Sequence, residues 1–161
     1  MKLAEAAARA ADLKDERALA ELRREVADDL EAAVRSADFR ERVVGYRAIG
    51  PLRFVQKADL LRRGLDDESP ACRGAALLSL ELMSRTHPGL VNSVRSLLHA
   101  LANGDPNAAV RRLAVICLRN GSPMADTITL LGFLAEEAEE KELRTAAASA
   151  RDALKRKASA R

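Results

Sequence analysis

The sequence predicts an all-α protein, and three observations lead there. Apolar residues recur at three and four, as in Leu60, Leu61, Leu65 and then Ala76, Leu77, Leu80, Met83, the stripe of a helix burying one face. No run alternates with a period of two. Apolar residues make up 48% of the chain but aromatics only 2%, so the core must be built from Leu, Ala, Val and Ile, two of which are among the strongest helix formers.

Turn chemistry sets the boundaries. Asp12 to Asp15 breaks the first Ala-rich segment, Ser36 and Asp38 end a long helix, and Gly50 with Pro51 ends the next. Asp66 to Pro70, His87 to Gly89, Asn103 to Asn107 and Asn120 to Pro123 punctuate the rest. Pro70, Pro88 and Pro123 fall where a first-turn N–H would be unpaired anyway, and several neighbours offer N-cap acceptors. Helices are therefore expected near 2–12, 15–36, 39–50, 53–64, 70–86, 88–103, 107–119, 123–137 and 140–157. Their short connections make successive helices antiparallel neighbours. At 161 residues the chain fits one domain, expected over 1–157 with a frayed basic tail at 158–161.

The chain also repeats itself. "DDESPACRGAALLSL" at 66–80 is echoed by "GDPNAAVRRLAVICL" at 104–118, with Asp67 and Asp105 each six residues ahead of an arginine, Arg73 and Arg111. A third copy, "ELRTAAASARDAL", aligns Leu143, Arg144 and Ala147, but position 138, where the Asp belongs, is Ala138. In the 39–50 helix, aligning "VGYRA" puts Gly45 where the arginine belongs. Two-helix units repeating at 33 to 38 residues are the signature of a solenoid, because one helical pair cannot bury its apolar face alone.

This motif of turn Asp, early Arg and later Ala resembles the HEAT repeat family. The resemblance implies an α-solenoid of about four antiparallel hairpins whose second, or B, helices lie near 39–50, 70–86, 107–119 and 140–157 and line an inner surface. It also implies a structural ladder of Asp67, Arg73, Asp105, Arg111 and Arg144. The acids would bond to arginines or backbone groups of their own or adjacent repeats, with Arg73 and Arg111 as partners. DNA glycosylases built from HEAT-like repeats rely on an aromatic pocket, and this chain has no Trp to line one.

Motifs for chemistry are absent. His87 and His99 are the only near-neutral bases, and neither stands in a nucleophile arrangement. Cys72 and Cys117 show no metal spacing and read as buried free thiols in a reducing, cytoplasmic setting. The acidic run Glu136 to Glu142 would be spread around a helix and offers no converging oxygen cage. Glycine loops for phosphate are missing, so no catalytic residue, metal or cofactor is expected. No segment reaches the roughly 18 apolar residues of a membrane span.

What remains is binding. The net charge is +3, and 21 of the 27 basic residues are arginine. Residues 1–34 hold six basic and nine acidic groups, whereas 40–63 hold seven basic groups against Glu41 and Asp59. The expected function is a non-enzymatic scaffold that binds another protein through inner-face residues such as Glu81 or Arg112. The alternative is nucleic-acid backbone binding through Arg40, Arg47, Arg62 and Arg63. A monomer is expected, although Ala146, Ala147, Ala150 and Ala153 would let a second helix approach.

Overall fold

The computed structural model describes residues 2–160, and every described element is helical. Ten α-helices follow one another: α1 (Lys2–Asp12), α2 (Glu16–Val34), α3 (Phe39–Ile49), α4 (Asp59–Leu65), α5 (Pro70–Ser84), α6 (Gly89–Asn92), α7 (Arg95–Gly104), α8 (Ala108–Leu118), α9 (Ala125–Glu137) and α10 (Lys141–Ser159). They fall into two compact units, the first running to Met83 and the second beginning at Ser84.

The starts of these helices follow the side chains just ahead of them. Asp15 and Asp38 accept the backbone N–H of Arg17 and Arg40, and Asn107 accepts that of Val110, satisfying N–H groups that no helical carbonyl reaches. Pro70 is the first residue of α5, where its missing N–H costs nothing.

Two expected helices are interrupted. The 53–64 segment becomes a single 3-10 turn, Val55–Lys57, followed by α4. After α3, Arg53 takes a positive φ of 49°, its N–H bonds the Gly50 carbonyl and the Phe54 N–H bonds that of Ile49. This left-handed closure is followed by tighter turns, the Lys57 and Ala58 N–H groups bonding the Phe54 and Val55 carbonyls, so regular α-helix begins only at Asp59. The 88–103 segment divides into α6 and α7 because the Val94 N–H closes a tighter turn onto Val91 and the backbone there leaves the helical region. The Ser93 hydroxyl also donates to the Leu90 carbonyl. At the other end α10 continues through Ser159, into the stretch expected to fray.

In the first unit α1 packs on α2 and α3, and the α2–α3 hairpin buries Leu19, Leu22, Val26, Leu30 and Val34 against Tyr46 and Ile49. Hydrogen bonds join α5 to α3: the Ser79 hydroxyl donates to the Tyr46 carbonyl at 2.5 Å and accepts the Gly50 N–H at 2.9 Å. Gly64 allows α4 to close in, since a Cβ there would lie 2.7 Å from Ala76 Cβ and 2.9 Å from the Tyr46 ring. In the second unit α7 packs on α8, and α10 on both α8 and α9, around Leu98, Leu118, Leu131 and Leu154. Cys72 and Cys117 are buried and form no disulfide among the described residues. No described helix is long and apolar enough to cross a membrane.

Candidate functional site

The repeated motif is a repeated set of hydrogen bonds. Arg73 sends Nη1 back to the carbonyls of Asp67 and Glu68, at 2.9 and 3.2 Å. Arg111 reaches the Asp105 carbonyl at 2.5 Å, and Arg144 those of Ala138 and Glu139, both at 2.7 Å. Arg42 does the same to Ser36 and Ala37, both at 3.1 Å. Side chains on a helix lean toward its N-terminus, so an arginine in the first turns of a B helix folds back over the turn that precedes it. Three turn residues also close their own loop: Ser36 Oγ, Asp67 Oδ1 and Asp105 Oδ1 accept the N–H of Asp38, Ser69 and Asn107 at 3.1, 2.9 and 2.8 Å.

Arg42 corrects the expected register, in which Gly45 occupied the arginine position. Ser36 precedes Arg42 by the same six residues that separate Asp67 from Arg73, and Gly45 then aligns with Ala76, Ala114 and Ala147. All four are buried small residues, and a Cβ at Gly45 would sit 2.7 Å from Val34 Cγ1. The signal was present in the six-residue spacing. It was hidden because the turn residue is serine instead of aspartate.

The acids are shared between neighbouring pairs within each unit. Asp67 receives a two-pronged bond from Arg42, with Nε to Oδ2 at 2.9 Å and Nη2 to Oδ1 at 3.0 Å, and the two side chains are only 11% and 8% exposed. Burial pushes the Asp67 carboxyl up, but the Arg42 guanidinium and the Ser69 amide hold it below the ordinary carboxylate value. The same pairing raises the Arg42 pKa, against a smaller opposing effect of burial. In the second unit Arg111 pairs through Nη2 with Glu140, which supplies the acid missing at Ala138 from two residues further on. One planar guanidinium thus closes its own turn and grips the next, a double task suited to its five fixed donors.

The remaining candidates scatter. Arg40 is held by Asp38 through Nε and Nη2, at 3.1 and 3.0 Å. Arg47, two turns further along α3, and Arg62 and Arg63 on α4 are exposed, and Glu81 is half-buried on α5. Of the seven basic groups in 40–63, four are tied down: Arg40, Arg42, Lys57 by Glu31 at 2.8 Å, and Arg53 by the Leu13 carbonyl at 2.6 Å. Arg112 lines an open groove of about 380 Å³ between α8 and α10, with Lys141, Glu142, Thr145 and Ser149. The histidines sit apart. His87 Nδ1 lies 3.0 Å from the Thr86 hydroxyl, and His99 Nε2 lies 2.8 Å from the hydroxyl of buried Thr127.

Among the exposed apolar side chains, Leu78 and Leu82 stand one turn apart on α5, 43% and 38% exposed. No protein-family model matches the chain, and no curated protein matches its sequence.

Proposed function

We infer that the chain is a HEAT-like helical-repeat scaffold, without enzymatic activity, that binds another protein through the exposed faces of its B helices, α3, α5, α8 and α10. The architectural half of this reading is supported by four turns that carry the same arginine at the same spacing, making the same bonds to carbonyls. The functional half rests on Leu78 and Leu82, which present an aliphatic surface on a B helix where folding alone favours polar groups. Buried cysteines at 72 and 117 that form no disulfide among the described residues suit a reducing, cytoplasmic location.

Nucleic-acid binding is the competing reading, favoured by exposed Arg47, Arg62 and Arg63. It is weakened because Asp38, Asp67 and Glu31 neutralise three cations of the same region. Two measurements separate the readings. Anisotropy of labelled duplex and single-stranded DNA and RNA at about 50 and 200 mM salt is expected to show no binding. Binding that collapses with salt and is lost in Arg62→Glu/Arg63→Glu would establish the competitor. A photo-cross-linking residue at Leu78 is expected to trap a discrete polypeptide in host cells, whereas one at exposed Thr129 on α9 is not. Equal labelling from both positions would count against the scaffold.

A further inference from the structure

In the first unit an apolar groove of about 440 Å³ runs between α1 and α3, and we propose that it is a docking site for an acidic amphipathic helix of a partner protein. The inference rests on the scaffold reading and names the partner's chemistry at one place. Ala4, Ala8 and Ala11 form the α1 wall, and Val43 and Val44 the α3 wall. Among the described residues Arg47 is the one charged side chain lining the groove, and no carboxylate lines it.

The walls decide the form of the occupant. Both are helices whose backbone groups are already bonded within themselves, so an extended segment laid between them would bury N–H and C=O groups without partners. A helix satisfies its own backbone and offers an apolar stripe, and alanines along α1 let it approach closely.

Charge decides the sign. Arg47 is exposed and makes no ion pair among the described residues, while Arg40, two turns earlier on α3, is already held by Asp38. A helix bringing Asp or Glu to Arg47 gains a charge-assisted bond as the groove is desolvated, whereas one bringing Lys leaves two cations facing each other.

The test is a displayed library of amphipathic helices sorted on the full chain, with Ala8→Arg, Arg47→Glu and Leu78→Glu variants as comparisons and circular dichroism to verify their folding. Enriched clones are expected to share an acidic residue at one register and to lose binding to Ala8→Arg. On Arg47→Glu they should weaken by about tenfold or more, the scale of a desolvated charge pair, and recover when that acid is changed to Lys. Clones indifferent to both groove variants, or without charge preference, overturn the proposal. If they respond only to Leu78→Glu, the groove assignment fails while the scaffold reading stands. A wild-type chain that sediments as a dimer, with Ala8→Arg monomeric, would give the groove to a second copy and overturn the proposal as well.

Discussion

At the scale of the residue, Arg42 does the most. Its guanidinium joins four oxygens, two on the Asp67 carboxylate and two on the carbonyls of Ser36 and Ala37, and a lysine has neither the fork nor the reach to serve both sets. Asp67→Ala is expected to destabilise by about 1–3 kcal/mol, the cost of orphaning a partly buried charged bond. Arg42→Ala should lower the melting temperature further, because it strands a buried carboxylate and two carbonyls together, and Arg42→Lys should recover only part of the loss. Thermal melts of the three variants order these effects, and an Arg42→Ala chain as stable as wild type would refute the ladder. Gly64→Ala is the steric counterpart. The added methyl meets Ala76 and the fully buried Tyr46 ring at under 3.0 Å, so a loss of about 1–3 kcal/mol is expected in urea unfolding.

Cations that reach across chain reversals to finish a neighbour's terminus recur at the scale of the element. Arg53 donates to the Leu13 carbonyl at the end of α1, and Lys157 on α10 donates to the Arg119 carbonyl after α8 at 2.5 Å. This second bond explains why helix persists into the basic tail: the chain has no apolar anchor there, but an ammonium held by a helix end serves as one. Arg53 does its work from a left-handed backbone, which costs an L-residue roughly 1–2 kcal/mol. Arg53→Gly should therefore be more stable than Arg53→Ala by about 1 kcal/mol, since both lose the clamp but only glycine escapes the strain. Equal stability of the two variants in chemical denaturation would mean that the turn relaxes.

At the scale of the whole molecule, pH selects among the titrating groups. Burial pushes His99 below its ordinary value, which Asp126 partly opposes and Arg95 reinforces, so folding favours the neutral ring. The unfolded chain binds the proton more readily. This stability is thus complete above about pH 6.5 and is lost as pH falls from there through the lower folded value. The melting temperature should drop as pH falls below about 6.5, and His99→Gln, which can still bond Thr127, should flatten that step. In more acid solution the sign is the same for Asp67: its pKa is depressed on folding, so its contribution is lost as pH falls below the ordinary carboxylate range.

The sequence by itself determined the helical class, the places where most helices start, those of α4 and α7 excepted, and the small aliphatic core, because each follows from periodicity and from side chains acting within a few residues of the turn. It also displayed the six-residue spacing of turn and arginine. Only the tertiary structure decided what those arginines hold. Whether Asp67 answers to Arg42 or to Arg73, and that Glu140 stands in for the acid absent at Ala138, depends on which helices lie side by side. The same holds for the basic stretch 40–63, where adjacency in sequence suggested one positive surface and folding spent Arg42, Arg53 and Lys57 on internal partners. A charge is visible in a sequence, but its partner is chosen by packing between segments 25 to 40 residues apart.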